Sequence, residues 1–392
     1  VFHQIATSMT KLVLKKEAAR ARVRSGHPWL FVNEVETVPD AAFDGKALAL
    51  EDARGRYLGM GIVNTQSQIL WRRYSKDRDE WGPGFWAKAL ERAHHNREEE
   101  PFRRLVWSEA DDLPGLVVDQ FGDVLVVQAL TKAVDLALKE LLPLLQEQFS
   151  PREILVRNDA PSRRREGLEL ESYTVSGNPL PPFWAEIYNV RYHLDLDKAQ
   201  KTGFYLDQRQ EHFKVATFAP GWRVLDAFCN QGAFAINCAL AGAREVIAID
   251  SSAEAIEQGR MNAAKNDVSV DFREANVFDY FTANREERFD LIILDPPSFA
   301  PNRRAVKGAL KGYKELHVRA FRALNAGGIL ATYCCSHHVT RSLFREVIEQ
   351  AAADTRSKVQ VLYETGQPMD HPVLLNFPES EYLKGFILRM QD

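Results

Sequence analysis

The sequence predicts an α/β protein: a Rossmann-like, mainly parallel sheet ending in an antiparallel hairpin, preceded by a small β-barrel and an α+β middle domain. Three observations predict it. From Trp222 onward apolar strands alternate with helical stretches, the signature of βαβ units. Residues 11–74 instead carry short alternating segments separated by turn clusters. The last two apolar segments, about 359–364 and 383–390, have no helix between them.

In chain order, the eight residues before Met9 are read as an extension outside the fold. Leu12 to Leu14, Ala47 to Leu50, Tyr57 to Val63 and Gln68 to Arg72 read as strands, with turns at Asp44-Gly45 and Asp52-Ala53-Arg54-Gly55, and give a barrel over 9–74. After Pro83-Gly84, a helix over 85–100, a hairpin over 115–130 turning at Phe121-Gly122-Asp123, a helix over 133–148 and a strand over 153–156 make the middle domain, 75–190. The strands at 183–187 and 190–195 are expected to close that block. The third domain, 191–392, holds strands at 223–226, 245–250, 270–273, 289–294 and 328–334. Its helices fall at 233–241, 252–266, 307–324 and 341–354.

Composition excludes several classes. With 45% hydrophobic and 27% charged residues, the 392-residue chain is neither disordered nor collagen-like, and no apolar run has membrane-spanning length. Four cysteines cannot staple a chain this long, so a reducing cytoplasm is expected. Residues 1–74 hold 11 Lys+Arg against 7 Asp+Glu, net +4, which leaves −8 of the overall −4 for the remainder. Such asymmetry suits a small nucleic-acid-binding module on an acidic catalytic body, and equally a solvated basic face.

In a doubly wound sheet the first strand-to-helix turn carries the cofactor. Here it reads Asp226-Ala227-Phe228-Cys229-Asn230-Gln231-Gly232. A single glycine and an acid at the strand end disfavour a pyrophosphate and favour S-adenosylmethionine, with a nicotinamide dinucleotide as the competing ligand. Asp250, ending the next strand, is expected to accept the ribose hydroxyls, and Asn276, after the third strand, to meet the adenine edge. The competing reading of such residues is helix capping.

The fourth strand ends Asp295-Pro296-Pro297-Ser298-Phe299, a pattern of methyltransferases acting on planar nitrogen or on bases: the prolines fix φ, the acid grips the base, the aromatic supports a flipped ring. Alone it allows exocyclic amine methylation. The fifth ends Thr332-Tyr333-Cys334-Cys335-Ser336-His337-His338. Carbon 5 of a pyrimidine needs a thiolate at carbon 6 before it can take a methyl group, and a cysteine here supplies one. Strand alternation keeps these side chains from converging on zinc, so no metal is expected, and leaves a buried structural pair as the other alternative.

At these residues the chain resembles the RlmI-like 23S rRNA cytosine-5 methyltransferases, which carry an N-terminal PUA domain. Further pieces are Gly26-His27-Pro28-Trp29-Leu30-Phe31, Asp112-Leu113-Pro114-Gly115-Leu116-Val117-Val118-Asp119 and Gln200-Lys201-Thr202-Gly203-Phe204-Tyr205-Leu206-Asp207-Gln208-Arg209. The resemblance implies a class I methyltransferase fold, S-adenosylmethionine as methyl donor and a 23S rRNA cytosine as substrate. Cys335, directly before the motif serine, is the implied nucleophile, with Asp295 orienting the base. It also implies that the segment Lys201 to Arg209, Asp207 included, closes over the cofactor, with Phe204 stacking and Arg209 meeting the methionine carboxylate. Two departures stand out: Asn276 replaces an acid, and Cys334 duplicates the thiol. The alternatives kept are an amine methyltransferase and a non-catalytic RNA-binding assembly factor. No membrane partner is expected, and a homodimer is left open.

Overall fold

The computed structural model describes residues 11–15, 20–197 and 203–391. These divide into two compact units, the first drawn from Val1–Pro181, Asp195–Leu206 and Met369–Ser380, the second from Pro182–Leu194, Asp207–Pro368 and Glu381–Asp392.

In the first unit, β1 (Lys11–Val13), β2 (Trp29–Phe31), β3 (Ala47–Glu51), β4 (Tyr57–Val63) and β5 (Ile69–Ser75) form one sheet in the order β1-β3-β4-β5-β2. A short helix, α1 (Arg20–Arg24), precedes β2. Inward residues Leu12, Leu30, Leu48, Leu50 and Leu70 make its core, and among the described residues its edges meet at a bridge between Leu14 and Val35, which makes the predicted barrel a half-barrel. Gly61 is forced by packing: a Cβ there would lie 2.2 Å from the Trp71 indole, whose Nε1 donates to the Leu48 carbonyl (2.9 Å).

The second sheet of this unit follows helix α2 (Pro83–His95) and comprises β6 (Phe102–Trp107), β7 (Leu116–Phe121), β8 (Val124–Ala129), β9 (Glu153–Asn158) and β10 (Glu171–Thr174), in reverse chain order from β10 to β6. α2 starts on Pro83 at its first turn and buries Trp86, Ala89, Leu90 and Ala93, the i, i+3, i+4, i+7 stripe of an amphipathic helix. Helix α3 (Lys132–Phe149) covers the same core through Val134, Leu138, Leu141 and Leu145. The segment 369–380 also belongs here. His27 meets Glu379 (Nε2 to Oε2, 3.0 Å), Trp29 and Phe377 stand edge to face at 4.7 Å, and the Arg104 amide donates to Asp370 Oδ2 (2.9 Å). The Gly26-His27-Pro28-Trp29 motif therefore grips a piece of the chain's own C-terminal part.

The second unit opens with the hairpin β11 (Phe183–Ile187) and β12 (Val190–Leu194), whose turn residues Tyr188 and Asn189 both have positive φ, as a two-residue hairpin turn requires. This hairpin does not close the middle domain as expected, and a boundary at 190/191 would cut it in two. Its backbone is tied to the second unit: the His193 amide donates to Asn262 Oδ1 (2.9 Å) and Asn237 Nδ2 to the Tyr192 hydroxyl (2.8 Å). Neighbouring pattern could not reveal partners some 45 to 70 positions away.

Helix α4 (Arg209–Ala216) then leads into the main sheet. Its parallel strands are β13 (Arg223–Ala227), β14 (Glu245–Asp250), β15 (Asp271–Glu274), β16 (Phe289–Leu294) and β17 (Leu324–Cys334), alternating with α5 (Ala233–Leu240), α6 (Ala253–Lys265), α7 (Val277–Ala283) and α8 (Val306–Ala323). After α9 (Arg341–Thr355), β18 (Val359–Gly366) and β19 (Lys384–Met390) complete the order β15-β14-β13-β16-β17-β19-β18. β19 inserts antiparallel between β17 and β18, the expected terminal hairpin. The direction of winding reverses between β13 and β16, so the crevice for a ligand opens at the carboxyl ends of β13, β14, β16 and β17.

Candidate active site

The loop after β13 turns sharply: Phe228, Asn230 and Gly232 all have positive φ, at 66°, 48° and 81°. Two acids anchor it. Asp250, ending β14, accepts the Asn230 amide on Oδ2 and the Ser252 amide on Oδ1, both at 2.9 Å, which holds its half-buried carboxylate in one orientation with lone pairs to spare. Asp226 is fully buried; Oδ2 accepts the Ala235 amide in the first turn of α5 (2.9 Å), and Oδ1 has no protein partner among the described residues. Burial, followed by repulsion from Asp295 and Asp250, pushes its pKa up to about 8 against the α5 amide that pulls it down. Acidic groups gathered at one sheet edge, with a buried Asp226 oxygen that has no protein partner among the described residues, suit a cationic ligand better than a phosphate.

Other expected cofactor residues fare differently. Asn276 stands after β15 as predicted, but its Oδ1 accepts the Phe278 and Asp279 amides (2.9 and 3.3 Å) and caps α7. The oxygen assigned to the adenine amine is thus committed to the helix, because four unsatisfied N–H groups at a helix start compete for any nearby acceptor. Gly232 is needed for its left-handed φ and because a Cβ would lie 2.6 Å from the Phe272 ring. Phe228 packs, half-buried, against the sheet core. Asp207 and Arg209 are buried at the start of α4, Asp207 accepting the Tyr382 hydroxyl (2.7 Å). Phe204 is buried in the first unit, and Gln200-Lys201-Thr202 lie outside the described residues.

At the end of β17 the alternation holds. Thr332, Cys334 and Ser336 face α8: Thr332 Oγ1 meets His317 Nε2 (2.9 Å), Cys334 is fully buried in the cluster with Tyr313 and Phe344, and Ser336 Oγ meets the Tyr313 hydroxyl (3.3 Å) and Ser298 Oγ (2.9 Å). Tyr333 points the other way, donating to Glu211 Oε2 (3.0 Å) and stacking on Phe234. Cys335 emerges half-buried at the carboxyl edge, its Sγ 3.8 Å from the Pro296 carbonyl inside the Asp295-Pro296-Pro297 turn. Asp295 is half-buried beside it in sequence, and its amide reaches the Ala227 carbonyl at 3.4 Å. Phe299 tilts against Tyr313 at 4.8 Å and joins the core.

Sequence reasoning missed Lys384. It is 1% exposed, donates from Nζ to the Ser336 and Tyr382 carbonyls (2.8 and 2.9 Å), and pairs in register with Cys334. Burial pulls its pKa down, while Cys334, Glu381 and Cys335 oppose that shift. The available signal was a lysine opening the apolar strand Lys384-Gly385-Phe386-Ile387-Leu388.

Comparison with known proteins shows the family and the fold. A PUA-like domain model matches residues 12–76, and an S-adenosylmethionine-dependent methyltransferase model matches residues 162–368. Ribosomal RNA large subunit methyltransferase I of Citrobacter koseri is 34% identical over 394 residues, covering 97% of this chain and 99% of its own length. The chain belongs to that methyltransferase family. The enzyme of the same name from Shewanella amazonensis is 36% identical over 377 residues, with 93% and 95% covered. A solved SAM-dependent methyltransferase from Streptococcus mutans superposes with a TM-score of 0.83 at 21% identity, over 97% of this chain and 100% of its own, and so shares the fold. As an S-adenosylmethionine-dependent methyltransferase, the family member described here has residues that fit its cofactor: Asp226 Oδ1 suits the methionine ammonium and Asp250 the ribose diol. Among the described residues, no helix is long and apolar enough to cross a membrane.

Proposed function

We propose that this protein methylates carbon 5 of a cytosine in 23S ribosomal RNA through Cys335. The names of the relatives supply the RNA class. The observation that carries the chemistry is the contrast between the two thiols: Cys335 is accessible beside the Asp295-Pro296-Pro297 turn, whereas Cys334 is sealed in the core.

When bound, S-adenosylmethionine supplies an electrophilic methyl group. Asp226 and Asp250 would hold its ammonium and ribose, and Arg209 would meet its carboxylate. Asp295 grips the cytosine edge, and the Cys335 thiolate adds to carbon 6, turning carbon 5 into the nucleophile that would take the methyl group as its bond to the cofactor's sulfur breaks and leaves a neutral thioether. A base then removes the carbon 5 proton, and the electron pair of that bond restores the ring double bond as the thiolate leaves. Lys384, fixed on the Ser336 carbonyl, favours the thiolate electrostatically. The half-barrel, within 9–74, contributes phosphate contacts that add affinity and register, in the cytoplasm where the rRNA is made.

The test is 23S rRNA carrying 5-fluorocytosine. Fluorine cannot leave as a proton would, so wild-type enzyme should be trapped covalently and Cys335→Ala should neither trap nor methylate. Trapping that survives Cys335→Ala, or labelled methyl found on the exocyclic amine by nucleoside mass spectrometry, would reject the proposal.

A further inference from the structure

Between Asp295 and Glu315 the chain has no acidic residue and five cations: Arg303, Arg304, Lys307, Lys311 and Lys314. Arg303 and Arg304 occupy the exposed turn that enters α8. Lys307, Lys311 and Lys314 recur at i, i+4 and i+7, on the face opposite the buried Ala309, Tyr313, Leu316 and Ala320. Lys314 pairs with Asp354 (2.9 Å); the other four have no carboxylate partner among the described residues.

Several helical cations elsewhere in the unit are matched, Arg319 with Glu315, Arg345 with Glu349 and Arg260 with Glu257, and the unmatched Lys265 and Arg322 stand singly, whereas these four are consecutive charged residues. This arrangement also opposes helix stability. Lys307/Lys311 is a like-charge pair four apart on α8, and the cations in its first turn and in the turn before it face the positive end of the helix dipole. A local arrangement that weakens its own helix marks a functional surface.

Its position says what for. α8 begins at the carboxyl edge of the sheet, a few residues after the Asp295-Pro296-Pro297 turn, and the segment between them is tied to the end of β17 by Ser298 on Ser336 (2.9 Å) and to α8 by Phe299 on Tyr313. Arg303 to Lys311 spans about 12 Å of helix rise, a row of cations suited to a polyanion strand and not to a single phosphate.

We propose that Arg303, Arg304, Lys307 and Lys311 bind consecutive phosphates of the RNA strand flanking the target base, so that the methyltransferase unit carries its own RNA-binding surface apart from the PUA-like sheet. The proposal rests on the RNA reading above. It is tested in the full chain with a 23S rRNA transcript, comparing wild type with the variant Arg303→Gln/Arg304→Gln/Lys307→Gln/Lys311→Gln and with a control, Arg260→Gln/Arg345→Gln, that removes ion-paired cations on other helices. The slope of log affinity against log salt should become shallower by about 0.7 per lost contact, about 3 in all. KM for the transcript should rise about tenfold or more, with cofactor affinity unchanged; the control should match wild type. A four-site variant with wild-type slope and KM, or a control that loses as much, overturns the surface while leaving the enzyme reading intact. A wild-type protein that neither binds nor methylates the transcript overturns both.

Discussion

Asp226→Asn should move stability and cofactor affinity in opposite directions. In the folded protein burial, aided by Asp295 and Asp250, raises the Asp226 pKa from 3.8 to about 8. The sign follows from linkage: below about pH 4 the carboxyl is protonated in both states and nothing is lost. As pH rises from 4 to 8 the unfolded chain releases the proton that the folded one retains, so folding is progressively disfavoured. At about 1.36 kcal/mol per pH unit, the ceiling is about 1.6 kcal/mol at pH 5 and about 4 kcal/mol at pH 7. Asparagine keeps the volume and the carbonyl that accepts the Ala235 amide, and it never ionises. Cofactor-free Asp226→Asn should therefore resist denaturant better than wild type by at least about 1 kcal/mol at pH 7, with the difference growing from pH 5 to pH 8. The cofactor loses a charged acceptor worth about 1.5 to 3 kcal/mol, so its affinity should fall roughly ten- to a hundredfold. Wild-type affinity should also climb toward pH 8, a dependence absent from the variant. Denaturant titrations and calorimetry across pH decide it. A variant less stable than wild type at pH 7, or a difference that does not change with pH, would refute the buried-acid argument, and unchanged affinity would remove Asp226 from the cofactor.

Asp250→Ala strands the Asn230 and Ser252 amides as well as the ribose, so calorimetry should show at least about a tenfold weaker cofactor; equal binding would take Asp250 out of the site. Cys334→Ala should retain trapping and methylation while losing about 1 kcal/mol of stability to a small cavity among Tyr313, Leu316 and Phe344. Loss of trapping at normal stability would reassign the nucleophile. Lys384→Met should depress methylation more at pH 7 than at pH 9, because the Cys335 thiol no longer has a buried cation favouring its ionised form. Lys384→Arg should recover part of that activity, and a loss equal at every pH would mean that Lys384 only braces the Ser336 carbonyl.

What the sequence determined by itself is whatever is written locally. The strand-helix alternation from Arg223 to Thr355 follows from hydrophobic period, and side chains of alternate parity must leave β17 on opposite faces, which sets Cys335 apart from Cys334. Asp226 and Asp250 could be assigned to strand ends for the same reason. Long-range packing decided the rest. Asn276 could cap or bind with equal local plausibility, and the orientation of α7 committed its oxygen to the helix. The 183–194 hairpin has the same pattern whichever body it joins; its partners Asn237, Asn262 and Asn266 lie on α5, on α6 and just beyond its end. The 369–380 segment looks like a connector between strands until His27, Trp29 and Arg104 meet it in the first unit. Lys384 reads as a solvent lysine until β19, inserted between β17 and β18, carries it beneath Ser336. The raised pKa of Asp226 exists only because distant strands exclude water around it and bring Asp250 and Asp295 near. Period and turn chemistry act over a few residues, whereas burial and electrostatic coupling depend on which distant segments meet, and that is fixed only when the whole sheet has formed.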